Sequence, residues 1–353
     1  MPPLLDVVAR DFRCLAAAEL ELHPEFTLIT GPNASGKTSL LEAIACLGRG
    51  RSFRGAGVRD LVRHGQKDFV LRGRVERDGM RHRLAVQNGS GGLALRMDGD
   101  AVTSVAALAA MLPLQVIDPE VHQLVGGPPE ERRRFLDWIG FHVEHGFLEA
   151  WRNFRRALRQ RNAALKSGGD ALASWDREFA TQGEALDRAR SDVVRRALPV
   201  LEEAAEALLG ASVSFEYQRG WSAGMPLAEA LAGTRERDLL QGSTGIGPQR
   251  ADLRLRVDER MARRLVSRGQ QKLLASAMVL GSVAVARTVL PAGPLLLLDD
   301  PAAELDEAGL GRLMQRVGAL GSQVVATALT AGAVPCPTAM QRFHVEHGSV
   351  RAA

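Results

Sequence analysis

The chain has 353 residues, 46% of them hydrophobic and 24% charged, and carries a net charge of +4. That length and composition supply a buried core with room for more than one lobe, and exclude a disordered or fibrous chain. No apolar run approaches the ~18 residues of a membrane span, the run before Asp299-Asp300 is short, and Met1-Pro2-Pro3 opens no signal peptide, so a cytoplasmic protein is expected. Cys14, Cys46 and Cys336 are too scattered for a disulfide framework or a metal site and are read as reduced thiols.

Taken in order, residues 4–12 and 18–22 are predicted strands feeding a third, 26–30, which runs into Gly31-Pro32-Asn33-Ala34-Ser35-Gly36-Lys37-Thr38. This stretch fits G-x-x-x-x-G-K-[ST], and Leu40, Leu41, Ile44 and Leu47 follow at helical spacing, with Gly48 as the expected helix end. Strand, loop and helix agree on a phosphate-binding P-loop. Glycines let backbone N–H groups curl around an anion at the positive end of a helix. Lys37 would reach the β- and γ-phosphates of ATP and Thr38 would offer its hydroxyl to Mg²⁺, with Gly31 to Ser39 as the nucleotide-binding set.

Residues 69–76 and 80–87 alternate in polarity and are joined by Asp78-Gly79, a hairpin signal; 93–97 adds a third strand before Asp98-Gly99. Between Arg49 and Arg83 there are eleven Lys or Arg against four Asp or Glu, a local excess larger than the net charge of the whole chain. Arg51, Arg54, Arg72 and Arg74 are therefore candidate DNA contacts, the alternative being a solvated sheet face. A helix over 103–112 stops at Pro113, and 114–118 reads as a buried strand.

From 130 to 166 and from 171 to 209 apolar residues recur at helical spacing, with interruptions expected at Ser167-Gly168-Gly169-Asp170 and at Pro199, which suggests two long antiparallel helices. The first carries Arg132-Arg133-Arg134, Arg152, Arg155, Arg156, Arg159 and Arg161, read as a basic face or a solvated one; Trp138, Trp151 and Trp175 are read as core. Strands follow at 212–219 and 252–257, around a helix near 227–240 and the turn Gly245-Ile246-Gly247-Pro248.

Ser267-Arg268-Gly269-Gln270-Gln271-Lys272 then opens an apolar helix, and Leu295 to Leu298 form a buried strand ending in Asp299-Asp300-Pro301, with Glu304-Leu305-Asp306 beyond. Such a strand delivers a carboxylate to the edge where ligands bind in α/β sheets. Asp299 is placed as the Walker B residue in the Mg²⁺ shell and Asp300 as the group that orients the attacking water, with Lys37 as its catalytic partner. Two adjacent buried carboxylates repel unless a cation neutralises them.

P-loop, Ser-x-Gly-Gln helix start and Walker B strand, in that order, make the arrangement of ABC-type ATPase heads. The expected fold is α/β: an ABC-type P-loop ATPase head, a mixed parallel sheet plus an antiparallel β section, with a helical arm lobe. The expected segments are 1–118 for the first ATPase lobe, 119–240 for the helical arm, and 241–353 for the signature helix, Walker B and the closing core. In heads of this class the signature of a second subunit caps the γ-phosphate, which assigns Ser267, Gly269 and Gln270 to the nucleotide of a partner copy.

Over nearly its whole length the chain closely resembles the RecF family, relatives of the SMC heads. The resemblance is carried by Asp11-Phe12-Arg13, Gly50-Arg51-Ser52-Phe53-Arg54, Gly126-Gly127-Pro128 through Arg133-Arg134-Phe135-Leu136-Asp137-Trp138, Gln160-Arg161-Asn162-Ala163-Ala164-Leu165, Gly247-Pro248 through Arg250-Ala251-Asp252-Leu253, Ser267 to Lys272 and Glu304-Leu305-Asp306. It implies a cytoplasmic, nucleoid-associated protein of DNA replication, repair and the SOS response. Such a protein would be a weak, DNA-stimulated ATPase that uses ATP and Mg²⁺, dimerises on ATP, clamps double-stranded DNA near gaps and loads recombinase with RecR- and RecO-type mediators. The chain departs from the family pattern at Gln249, where His is usual, and places Thr327, with no histidine, after Val324-Val325-Ala326 where many ABC heads have a switch histidine. Gln115 and Gln123 both fall in the Q-loop region. An ATPase subunit of a membrane ABC transporter and a degenerate scaffold are the alternatives; the long basic helical stretch between Lys37 and Ser267 weighs against the first, and the intact Lys37, Thr38, Asp299 and Asp300 against the second. Phe-His-Val-Glu-His-Gly occurs at 141–146 and again at 343–348, in contexts too different for a shared metal geometry.

Overall fold

A computed structural model describes residues 4–89, 92–168 and 171–353, apart from the side chain of Arg264. The opening Met1-Pro2-Pro3 and half of the expected helix interruption, Gly169 and Asp170, lie outside the described residues. The chain begins with the hairpin β1 (Leu4–Phe12) and β2 (Leu15–Glu21), then β3 (Phe26–Thr30) and helix α1 (Lys37–Arg49). A meander follows: β4 (Phe69–Arg77), β5 (Met80–Gly89), β6 (Gly92–Met97) and β7 (Asp100–Ala101), before α2 (Val105–Met111) and β8 (Leu114–Ile117). In the β4–β5 turn Asp78 and Gly79 both have positive φ, the backbone an Asp-Gly hairpin tolerates.

The middle of the chain holds α3 (Gln123–Gly126), α4 (Pro129–Val143), α5 (Phe147–Lys166), α6 (Leu172–Leu209), β9 (Val213–Gln218), α7 (Leu227–Ala232), α8 (Arg235–Gln241), β10 (Asp252–Val257), β11 (Arg260–Met261) and α9 (Ala262–Leu265). It closes with α10 (Arg268–Arg287), β12 (Leu295–Leu298), α11 (Glu307–Ala319), β13 (Val324–Ala328), β14 (Gln341–Glu346) and β15 (Ser349–Ala352). Two compact units result: Met1–Val121 with Ser276–Ala353, and His122–Ala275. Residues 241–275 thus fall in the helical unit, because β10 pairs with β9 along its whole length.

The first unit contains two six-stranded sheets. One, in the order β15-β14-β3-β13-β12-β8, is parallel from β14 to β8 and holds the P-loop strand. The other, β2-β1-β4-β5-β6-β7, is antiparallel. The N-terminal strands were expected to feed the P-loop sheet; they belong instead to the antiparallel one, since β1 pairs with β2 and β4 and leaves β3 to β13 and β14. α1 packs against both sheets, which explains why Leu40, Leu41, Ala43, Ile44, Ala45, Cys46 and Leu47 are all buried, not one face alone. The expected stop at Gly48 is corrected: the helix runs on to Gly50, whose φ of 60° and N–H bond to the Cys46 carbonyl at 2.8 Å make the cap. Gly48 stays inside the helix because a Cβ there would press on Leu114 Cδ2 at 2.6 Å.

In the second unit, α5 and α6 run antiparallel, with Phe154 against Phe179 and Arg161 paired to Asp176. The single helix expected over 130–166 is broken at Glu144–Gly146, where Gly146 takes a φ of 81°, and that expected near 227–240 is two short helices. Pro199, expected to interrupt, sits within the 38-residue α6. Pro199 is itself exposed, while Val193, Ala197, Leu201 and Leu208 keep the opposite helix face buried. The duplicated hexapeptide ends an element in both places. Gly146 closes the α4–α5 break and Gly348, at φ 76°, the β14–β15 turn.

Candidate nucleotide and DNA site

The P-loop leaves a fully buried β3 and enters α1 through backbone that only small residues permit. Gly31 has φ 153°, Gly36 117°, and a Cβ on Gly31 would overlap the carbonyl oxygen of Val345. Lys37, only 8% exposed, donates from Nζ to the carbonyls of Gly31 at 2.7 Å and Pro32 at 2.9 Å. Its burial lowers the ammonium pKa, an effect opposed by the carboxylates of Asp300 and Asp299. A confined ammonium near two acids is suited to holding phosphate oxygens.

β12 and β3 are separated by β13, and the three strands bring their C-terminal ends to one edge. There Thr38 Oγ1 donates to Asp299 Oδ1 at 3.0 Å, and Thr327 Oγ1 donates to the same oxygen at 2.8 Å. Burial pushes the Asp299 carboxyl pKa up; the two hydroxyls and the nearby Arg54 guanidinium oppose the rise, and Asp300 adds to it. Asp300 has φ 47° and its N–H is held by Thr327 Oγ1 at 2.9 Å. Asp306 caps α11 by accepting from Gly309 N–H at 2.7 Å.

Two further titratable groups border β8, one at each end. Asp118, just past β8, has its pKa raised to about 6 by burial and by Asp299. Arg49, half-buried at the end of α1, donates to the Leu114 carbonyl and to Gln115 Oε1, and desolvation with the neighbouring Arg51 charge brings it down to about 10. Gln115 in turn donates to Ser282 Oγ at 3.1 Å, so it is a buried structural amide, whereas Gln123 opens α3 in the other unit. The parallel register of β8 with β12 was the missing signal for Asp118: Ile117 stands opposite Leu298, so the next residues on both strands are acids.

Residues 343–348 also enter the site. Gly348 N–H donates to the Ser35 carbonyl at 2.9 Å, and Thr30 Oγ1 donates to the Phe343 carbonyl at 3.1 Å. The second hexapeptide is therefore the outer brace of the P-loop.

In the second unit, Ser267 and Gln270 form a reciprocal cap: Ser267 N–H donates to Gln270 Oε1 at 2.9 Å and Gln270 N–H to Ser267 Oγ at 3.3 Å. Behind the cap, Gln271 Oε1 stands 2.9 Å from where a Gly126 Cβ would be, which accounts for the glycine. Arg132 donates to Asp252 through two nitrogens, at 2.7 and 3.2 Å, and to the Gly127 carbonyl. Gly269 lies between Ser267 and Gln270 in the first turn of α10.

The basic residues divide by burial. Arg51 and Arg54 are exposed on the loop after α1, which is fixed from beneath: buried Glu42 takes two bonds from Arg13 and one from Ser52, and Ser52 Oγ accepts from Arg54 N–H. On β4, Arg72 and Arg74 face outward while Phe69, Leu71 and Val75 enter the core. Arg74 is ion-paired with Asp6 on β1 and lies directly opposite Arg83 on β5. The arm series divides: Arg134, Arg152, Arg155, Arg156 and Arg159 are exposed, whereas Arg132, Arg133 and Arg161 are turned to partners within the unit. Arg132 is buried on Asp252, Arg133 donates to the Ala251 carbonyl, and Arg161, with no exposed side chain, bridges Asp176 and Asp238. These arginines satisfy buried acids and carbonyls within their own unit. Trp151 and Trp175 pack at the rim of hydrophobic clusters and Trp138 against His142, so the tryptophans border the core and do not fill it.

The residues fit ATP and Mg²⁺. Ser35 Oγ is buried in the cradle without a hydrogen-bond partner, the Gly31 backbone leaves no room for a side chain, and Thr38 and Asp299 converge as hard oxygen donors. Among the described residues no group of three or more His, Cys, Asp or Glu could hold a metal ion alone; Mg²⁺ commonly takes one or two protein oxygens and completes its shell with phosphates and water. Among them also, no helix is long and apolar enough to cross a membrane.

Residues 3–349 match the family described as the RecF/RecN/SMC N terminal domain. The chain is 39% identical over 332 residues to the DNA replication and repair protein RecF of Cronobacter sakazakii, covering 93% of each chain. It is 40% identical over 349 residues to that of Chromohalobacter salexigens, covering 95% of this chain and 96% of the relative. Its fold superposes with TM-score 0.90 on a structure described as the recombination mediator protein RecF-ATP in the RecFOR pathway, at 24% identity and 99% and 97% coverage. An Smc head domain of Pyrococcus furiosus shares the fold at TM-score 0.60 and 14% identity, over 100% of this chain and 96% of that one.

Proposed function

The chain belongs to the RecF family, and from that premise we propose that it is an ATP-switched DNA-binding protein of replication and recombinational repair, whose ATP-bound dimer holds duplex DNA near single-strand gaps and works with RecR- and RecO-type mediators. The observation that carries this reading is the meeting of Lys37, Thr38 and Asp299 at one sheet edge, with Thr38 Oγ1 3.0 Å from Asp299 Oδ1. The loop amides and Lys37 bind the β- and γ-phosphates of ATP. Thr38 and Asp299 would hold Mg²⁺, which would offset phosphate charge. Asp300 orients the water that attacks the γ-phosphorus and accepts its proton, and ADP and phosphate leave. Ser267, Gly269 and Gln270 face the γ-phosphate held by a second copy, at the positive end of a helix start. Exposed Arg51, Arg54, Arg72 and Arg74 follow the DNA backbone, and Arg54 also bears on the Asp299 charge.

The transporter reading is set aside, since the relatives matched over nearly their full length are named DNA replication and repair proteins. Mass measurement by light scattering tests the proposal: wild type is monomeric without nucleotide, dimeric with ATP, and shifts further with gapped duplex. Ser267→Arg, which puts bulk and charge at the helix start, stays monomeric with ATP. A Ser267→Arg dimer would refute the role of the signature in trans.

A further inference from the structure

We infer that Thr327 is the positioning residue of this ATPase site: its single hydroxyl aims the Asp299 carboxylate toward Thr38 and holds the turn from which Asp300 is presented. The inference deepens the proposed function and rests on it. β13 lies between the P-loop strand and β12, and Ala326 stands opposite Leu298, so the next residue, Thr327, falls beside Asp299. Its hydroxyl donates to Asp299 Oδ1 at 2.8 Å and accepts from Asp300 N–H at 2.9 Å. One proton and two lone pairs allow both bonds at once.

The two bonds do different work. Asp299 Oδ1 also receives Thr38, but Thr38 is a proposed metal ligand and its hydroxyl must turn a lone pair to the cation; the bond from Thr327 has no second duty. Asp300 has φ 47°, a left-handed backbone that costs a non-glycine residue energy unless its surroundings hold it. The bond from its N–H to Thr327 is such a hold. Thr327 is itself fully buried in a parallel strand, where a β-branched side chain has little rotamer freedom. Groups behind a metal ligand commonly change metal affinity when removed.

Thr327→Val keeps the shape and removes the hydroxyl; Thr327→Ser keeps the hydroxyl and removes a methyl. Binding of a fluorescent ATP analogue is titrated against Mg²⁺, and kcat is measured on the same proteins. Thr327→Val is expected to raise the Mg²⁺ concentration for half-maximal binding by roughly tenfold or more and to lower kcat, while analogue binding in EDTA, which reads the P-loop alone, stays at the wild-type value. Thr327→Ser is expected to return both readouts to within about threefold of wild type, the scatter of single interactions. A Thr327→Val protein with the wild-type Mg²⁺ dependence overturns the inference, as does a Thr327→Ser protein as impaired as Thr327→Val. If wild type binds nucleotide with Mg²⁺ but hydrolyses none, the proposed ATPase function fails while the Mg²⁺ titration still decides the role of Thr327.

Discussion

The amide of Gly348 donates to the carbonyl of Ser35 at 2.9 Å, so the turn between the last two strands is hydrogen-bonded to the middle of the P-loop. Gly348 has φ 76°, and a Cβ there would overlap the Cys14 carbonyl oxygen. Gly348→Ala is thus expected to push the turn off the loop. The left-handed backbone alone costs about 1–2 kcal/mol in a residue with a Cβ, and ATP affinity should fall by roughly a factor of five or more. Gly332→Ala, where a Cβ meets nothing within 4 Å, serves as the control. Calorimetric titration with ATP checks both, and equal affinities would show that the turn does not brace the loop.

Asp300→Asn should separate nucleotide binding from hydrolysis. Asparagine tolerates the φ of 47° as well as aspartate does, so the Thr327 contact to its N–H is kept while the charge that activates water is lost. Turnover is expected to fall by about 10²-fold or more with ATP binding intact, and the dimer should stay on DNA longer. Dissociation from gapped duplex after dilution into competitor measures this; wild-type departure would show that Asp300 does not govern release.

Arg74 and Arg83 stand opposite each other across β4 and β5, a like-charge pair that destabilises a sheet unless an anion lies over it. Arg74 is partly neutralised by Asp6, whereas Arg72 has alanine opposite it on β5. Arg72→Gln and Arg83→Gln should each lower the slope of log affinity against log salt for duplex DNA by about 0.9, and Arg74→Gln by less. Fluorescence anisotropy over a salt series provides the slopes, and unchanged slopes would leave the face merely solvated.

Asp118 predicts a pH dependence of stability. Its carboxyl holds a proton up to about 6 in the folded chain against 3.8 for the free group, so between those values the folded state binds more protons than the unfolded one. Stability is therefore lost as pH rises through that window and the full penalty, on the order of 1–3 kcal/mol, stands above it. Asp118→Asn should melt higher than wild type at pH 7.5 without nucleotide, with the gap closing by about pH 4. Melting curves at several pH values test this; a constant gap would assign the gain to something other than titration.

The P-loop, the strand ending in Asp299 and the helix opened by Ser267 could be read from residue order because each is a local device: a glycine pattern, an apolar run closed by an acid, a serine followed three residues on by glutamine. The meander and its Asp-Gly turn were equally local. Non-local pairings were not legible. Nothing near Leu4 says that β1 pairs with β4 and not with the P-loop sheet, and nothing near Pro199 says that buried neighbours carry α6 through it.

Charge was the least legible property. Arg132 and Arg161 look like members of an exposed series by spacing, yet a charged side chain is placed by whether an acid awaits it inside, and Asp252, Asp176 and Asp238 come from other segments of the chain. The same holds at the sheet edge. The chemistry of Lys37, Thr38 and Asp299 was written in their types and order, whereas Thr327, Asp118 and Gly348 became part of the site only when parallel strands and a closing hairpin set them beside it. Hydrogen-bond register between distant strands decides such neighbours, and no single stretch of residues carries that register.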